Sequence, residues 1–175
     1  MRRGVFAVLF ALAIGAFFAE NLLYFPLSVP YMKELAAGAP LLDMRPGYTP
    51  EAAYHLFDVL GQSGRGAYLK LVWTIDLLLP ALFGVFLSSA IRRGAFRAWQ
   101  SVPLLAAACD YAENITITIL LLRYPVQEAG LVQLASLFTV VKLVLYASGV
   151  LLAVGGFVAR VGKKRVGIPV LGRVE

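Results

Sequence analysis

Four long apolar runs, at 5–24, 67–91, 102–122 and 131–159, decide what this chain can fold into. Each is long enough to cross a hydrocarbon core of about 30 Å at about 1.5 Å per residue. A backbone in lipid has no water to bond to, so each run must close its own hydrogen bonds as a helix. Composition agrees with this. Of the 175 residues, 60% are apolar or aromatic and only 15% are charged, and the mean hydropathy is +0.78. A soluble domain usually holds about 45–50% apolar and about 25% charged residues. A domain of this size cannot hide the excess in one core, which excludes an ordinary soluble enzyme, a disordered chain and a disulfide scaffold. No Gly/Ser or Pro-rich linker divides the chain and no repeat is visible. The expected fold is therefore all-α, a four-helix transmembrane bundle in a single domain, 1–175.

The net charge of +6 and the pI near 9.7 would point to nucleic acid in a soluble chain. Here position decides. The basic residues gather as Arg2 and Arg3, as Arg92, Arg93 and Arg97, and as Arg160, Lys163, Lys164, Arg165 and Arg173. Each group abuts an apolar run, and none interleaves with stacking aromatics, so the pattern speaks for topology and against nucleic acid. If the spans alternate, all three groups fall on one side. The positive-inside rule then makes both termini cytoplasmic, in a multi-pass protein of the inner (cytoplasmic) cell membrane. A cleaved signal peptide is the rival reading of the N-terminus. The first run is longer than a typical signal core, and cleavage after Ala19 would put Phe17 where a small side chain is preferred. Cleavage after Ala16 meets less objection, but an uncleaved span is favoured. Cys109 is the only cysteine, so no internal disulfide or thiolate cluster can form.

Spans one and two are joined by an outer loop, 26–66, which Pro26 and Pro30 open by stopping the first helix. Thr49-Pro50-Glu51 carries an N-cap, a proline at the first helical position and an acid in the first turn, and Gly61 supplies a stop. A short helix over 49–60 follows, with Ala53, Leu56, Phe57 and Leu60 on one face. It could be a lid or a packing cap. His55, the only histidine, sits on it and reads as a surface residue.

Ionisable residues inside spans are costly, by about 2.5–3.5 kcal/mol on insertion scales, and tend to face the bundle interior. Here Glu20 with Asn21, Asp76, Asp110, Glu113 with Asn114, and Lys142 come from all four spans. Their depths overlap between the bilayer centre and the outer interface. Asp110, Glu113 and Asn114 stand at i, i+3 and i+4, one stripe on span three continued by Thr118. Ser136, Thr139, Lys142 and Tyr146 follow the same spacing on span four, and Trp73, Asp76 and Pro80 do so on span two. Pro80 has no N–H for the Asp76 carbonyl, which frees that acceptor and bends the helix beside the acid. Four acids against Lys142 would leave −3 if every group were ionised. Either some carboxyls keep protons or a cationic ligand completes the site. The competing reading is a polar network that only glues helices together.

The residues that carry resemblance are Leu42-Asp43-Met44-Arg45-Pro46-Gly47-Tyr48-Thr49-Pro50-Glu51, Gly61, Gly64-Arg65, Tyr68, Asp76 with Pro80, and Asp110-Tyr111-Ala112-Glu113-Asn114. Together they look like a bacterial family of small four-span proteins without an assigned activity. More loosely, the four spans, the long first outer loop, the acid closing span one and the acid before proline in span two resemble the EXPERA group. That group includes emopamil-binding sterol isomerases and the sigma-2 receptor. The resemblance implies a pocket for cationic amphiphiles or sterols. The isomerases also use a histidine, and no span here contains one.

The leading expectation is an outer-half cavity that binds a membrane lipid or an amphiphilic small molecule with a cationic head. Asp76 and Glu113 would be its primary carboxylates, with Asp110 and Asn114 orienting the head and Glu20 at the mouth. Lys142 would balance charge, and Trp73 and Tyr146 would line the walls. The alternatives are a proton-transfer enzyme acting on a membrane-dissolved substrate, a proton- or cation-coupled carrier, and a structural subunit. No pattern calls for a metal or an organic cofactor. Gly149, Ala153, Gly155 and Gly156 on span four would permit close helix approach, including that of a second copy in a homo-oligomer.

Overall fold

The structure, a computed structural model, describes residues 3–166. Arg2 and Arg173 of the basic groups lie outside the described residues, as do the side chains of Arg3, Lys163, Lys164 and Arg165. The chain is all-α. Its helices are α1 (Arg3–Leu22), α2 (Val29–Leu35), α3 (Pro50–Val72), α4 (Ile75–Arg93), α5 (Val102–Arg123) and α6 (Ala129–Val166). Two 3-10 turns, Leu42–Met44 and Arg97–Trp99, complete it, and among the described residues there is no strand. Four stretches are long and apolar enough to cross a membrane: Gly4–Leu22, Pro50–Arg93, Arg97–Arg123 and Ala129–Gly162.

The second stretch differs from the single helix expected over 67–91. Thr49 caps α3 by accepting the Ala52 N–H at 3.3 Å, and Pro50 occupies the first turn. At Gly61 the backbone turns to φ 59°, ψ −172°, a conformation open in practice only to glycine, so 50–60 forms the separate short helix its sequence indicates. Helix resumes at once and runs to Val72. It breaks again at Trp73–Thr74, where the Thr74 hydroxyl donates to the Lys70 carbonyl at 2.6 Å and competes with the helical ladder. Asp76 therefore lies in the first turn of α4, where the unpaired N–H groups of a helix start favour an acid.

α5 and α6 form the central antiparallel pair, and α4 packs on both. α1 is held to α4 by a ladder of rings: Phe6 and Phe10 lie 5.5 and 5.4 Å from Phe86, and Phe17 lies 5.8 Å from Phe83. The main core lies under the outer loop, where Met32, Leu42 and Phe57 pack with Tyr68, Ile117 and Leu120. Burying such side chains stabilises by about 1.5–3 kcal/mol each. Tyr54 pins this cap to the α5–α6 turn, donating to the Val126 carbonyl at 3.2 Å and accepting from the Glu128 N–H at 2.6 Å. The loop is thus a packed cap. His55 on it is exposed.

Three of the four small residues of span four are used within the chain, Gly155 against the Phe96 ring. Gly149 faces Pro103 and Leu87, and Gly156 faces Gly94 and Ala95, whose N–H donates to the Gly156 carbonyl at 3.1 Å. The outward surface is apolar: Phe18 is 53% exposed, Leu151 72% and Phe157 67%. Such a belt needs an apolar medium to cover it.

Candidate functional site: an acidic cavity beneath the outer cap

A cavity of about 460 Å³ lies between α1, α4 and α6, with Asp110 of α5 at its back and Val29, Asp43 and Met44 of the outer loop above. Its polar groups gather at the outer end, where Glu20, Asn21, Asp43, Asp76, Asp110, Lys142 and Tyr146 face inward. Farther along α4 and α6 the walls become apolar, with Leu79, Pro80, Phe83, Leu87, Leu143 and Val150. Helix direction explains the gradient. α4 and α6 both run away from the cap, so later residues line deeper levels, while α1 runs toward the cap and brings Glu20 up at its last turn.

Glu20 is 6% exposed and lines the cavity together with Asp76. Asp76 is fixed through its backbone. Its carbonyl, left without a helical donor by Pro80, accepts from the Asn114 side chain at 3.3 Å. One residue on, the Leu77 carbonyl accepts from the Tyr111 hydroxyl at 2.8 Å. α5 thus secures the first turn of α4, at Asp76 through the carbonyl that Pro80 leaves without a helical donor and at Leu77 through a further bond to its carbonyl.

Lys142 is spoken for. Its Nζ lies 2.8 Å from Asp110 Oδ1 and 2.7 Å from Glu113 Oε2. Glu113 is fully buried and accepts from the Thr139 hydroxyl, so the i, i+3 pair on α5 is matched by the i, i+3 pair on α6. Lys142 is therefore committed by direct contact to the α5 acids rather than to Glu20 and Asp76 across the cavity.

The residue that sequence reading passed over is Asp43. Tyr68, wholly buried, donates to Asp43 Oδ1 at 2.7 Å and accepts the Leu42 N–H at 3.2 Å, which hangs the 3-10 turn over the cavity. Asp43 lies within electrostatic reach of Glu20, Asp76 and Asp110. Its signal was an acid set among Leu41, Leu42 and Met44 in a loop otherwise rich in turn residues. With Asp43 added, five carboxyls surround one ammonium, a formal −4 if all were ionised. Next to this network, burial and then the negative charge of Glu113 push the Tyr48 hydroxyl well above its usual value.

Of the residues expected to form the site, Glu20, Asp76, Asp110, Lys142 and Tyr146 meet at the cavity. Glu113 lies behind Lys142, and Asn114 is engaged with the Asp76 carbonyl. Neither lines the cavity. Trp73 does not share the face of Asp76. The break at 73–74 turns it away, 48% exposed, with its indole N–H donating to Thr118 at 3.0 Å.

The acids are too dispersed to grip a bare metal ion: among the described residues no group of three or more His, Cys, Asp or Glu is arranged to hold one. The arrangement suits a larger cationic or donor-bearing group at one end and an apolar body at the other. No protein-family model, curated protein or solved structure matches this chain.

Proposed function

We propose that this is a multi-pass membrane protein whose cavity binds a lipid-like or cationic amphiphilic molecule. The observation that carries the reading is the polarity gradient of one cavity: uncompensated carboxyls at its outer end, apolar walls beyond. Its volume of about 460 Å³ falls in the range of about 300–1,000 Å³ common for small-molecule sites. The ligand's cationic head sits among Glu20, Asp43 and Asp76, and its apolar part lies along Phe83, Leu87 and Val150. Phe17, Leu143 and Val150, each at least 40% exposed, form a side rim between α1 and α6. An apolar rim favours a ligand that arrives from the membrane phase. The likeness to the EXPERA group, proposed on Glu20 and Asp76, agrees with such a ligand class. In this reading the protein lies in the cytoplasmic membrane with both termini inside.

The test is saturable binding of a long-chain tertiary alkylamine to purified protein. Wild type binds it, and Asp76→Asn or Glu20→Gln weakens binding at least about tenfold, or about 1.4 kcal/mol. Wild type that shows no saturation with amines, sterols or membrane lipid extracts would sink the proposal.

One observation favours a second reading. Glu20 and Asp76 both line the cavity wall, and a carboxyl pair facing a bound substrate can hand it a proton and take one back. A proton-transfer enzyme acting on a membrane-dissolved substrate would lose turnover of labelled lipid with Glu20→Gln while retaining binding.

A further inference from the structure

At the opposite end of the bundle from the cavity, the geometry points to a binding site for the phosphate headgroup of anionic phospholipids, built from Arg92, Arg93, Arg97 and Arg160. The first observation is charge. Residues 77–109 and 129–166 contain no Asp or Glu, and among the described residues no salt bridge to a carboxylate engages Arg92, Arg97 or Arg160.

The second observation is that the cluster is built. Gly94 is pressed onto α6 so closely that a Cβ there would come 2.9 Å from the Gly156 carbonyl carbon. The neighbouring Ala95 N–H donates to the Gly156 carbonyl at 3.1 Å, and the Arg160 side chain donates to the Arg93 carbonyl. The Arg93 guanidinium lies 4.0 Å from the centre of the Phe6 ring, tying in α1. These contacts seat the α4–α5 connection on α6 and bring arginines from two distant parts of the chain to one place. Arg92 and Arg97 remain exposed.

The third observation selects the partner. Trp99 is 60% exposed and Phe96 41%, beside the arginines. An exposed tryptophan flanked by arginines above apolar helix surface matches the polar–apolar boundary of a bilayer, where Trp is enriched. Guanidinium groups donate to phosphate in pairs, which a phospholipid headgroup offers at that depth. A soluble anion would not need the aromatics. This site is independent of the cavity.

The experiment uses the full chain reconstituted in nanodiscs of phosphatidylcholine with phosphatidylglycerol, followed by native mass spectrometry of retained lipid. Wild type is expected to retain phosphatidylglycerol at least about threefold over its share of the bilayer, and Arg92→Gln/Arg97→Gln to bring retention back to that share. Lys33→Gln/Lys70→Gln, at the other end, leaves the enrichment unchanged. Equal retention of both lipids by wild type overturns the proposal, as does full enrichment in the arginine double variant or an equal loss in the lysine double variant. In a second arm, delipidated protein is heated with inorganic phosphate or with phosphatidylglycerol. Stabilisation by the lipid alone is expected, and equal stabilisation by free phosphate would replace the lipid with a soluble anion. An unfolding profile of the arginine variant that matches that of delipidated wild type confirms that it is folded.

Discussion

Lys142 is the residue on which the polar interior turns, because it is buried between two carboxylates and no other cationic side chain among the described residues lines the cavity. Removing one member of a buried pair strands the other charge and typically costs about 3–5 kcal/mol, whereas removing the whole set can be neutral. Lys142→Met is therefore expected to lower the unfolding temperature sharply in detergent, and adding Asp110→Asn and Glu113→Gln to restore most of the loss. Equal temperatures for the single and triple variants would show that the charges are not coupled. Tyr48 makes a separate prediction at the rim of the same network. Its hydroxyl is raised above the ordinary 10.0 by burial and then by the charge of Glu113, so the folded chain holds this proton more tightly than the unfolded one. The resulting stability is whole below about pH 10 and is lost as the pH rises from there through the raised value. Tyr48→Phe should thus match wild type within about 1 kcal/mol near neutrality and resist alkali better. Thermal unfolding of the two proteins on either side of pH 10 checks it, and an identical alkaline loss in both would exclude Tyr48 as the source.

Elements were legible where a backbone rule acts locally, and less so where tertiary contacts choose. Thr49-Pro50-Glu51 and Gly61 mark a helix whose cap bond and positive φ are both present, and the carbonyl that Pro80 frees is found accepting from Asn114. Hydropathy could not see the break at Trp73–Thr74. It depends on a Thr74 side-chain bond to Lys70 and on a Trp73 bond to Thr118 that exist only once α5 is alongside. Asp43 escaped for a related reason: it lies outside every span, and only the long-range bond from Tyr68 brings it over the cavity. The glycines of α6 were read as a close-approach surface, and close approach is what they provide, but to Pro103 and to Gly94 of the same chain. This yields paired predictions. Gly94→Ala drives a Cβ into the Gly156 backbone and should cost about 1–3 kcal/mol as overpacking. Gly15→Ala, with open space around it, should be neutral or gain up to about 1 kcal/mol of helix propensity. Gly61→Ala should cost about 1–3 kcal/mol through backbone strain alone, since nothing lies within 4 Å of the added carbon. Unfolding of the three variants side by side separates steric, neutral and conformational effects. A Gly94→Ala protein as stable as Gly15→Ala would contradict the seating of the connection on α6.

For the whole molecule, the charges sort along the bundle. Every described acid lies in the loop 26–66, at the same end of the helices, at the cavity or, for Glu113, behind Lys142 beside it, and the opposite end holds only arginines among its described ionisable side chains. If the four stretches able to cross a membrane do so in turn, the first and last helices return to the same side, and the positive-inside rule would make the Arg92–Arg97 side the cytoplasmic one. The same polarity explains why the acids are tolerated. They sit beneath a cap anchored to the α5–α6 turn by Tyr54, at the end where the chain carries Lys33, Glu34 and Glu51 on exposed loop and helix surface. The cavity is therefore expected to face the outer leaflet and the arginine cluster the inner one. Single cysteines in a Cys109→Ser background decide this in intact bacterial cells. Lys33→Cys, on exposed α2, should react with a membrane-impermeant maleimide directly, while Arg97→Cys should react only after the membrane is permeabilised. Labelling of Arg97→Cys in intact cells would invert the molecule, placing the acidic cavity toward the cytoplasm and the arginines away from the anionic inner leaflet that they are argued to bind.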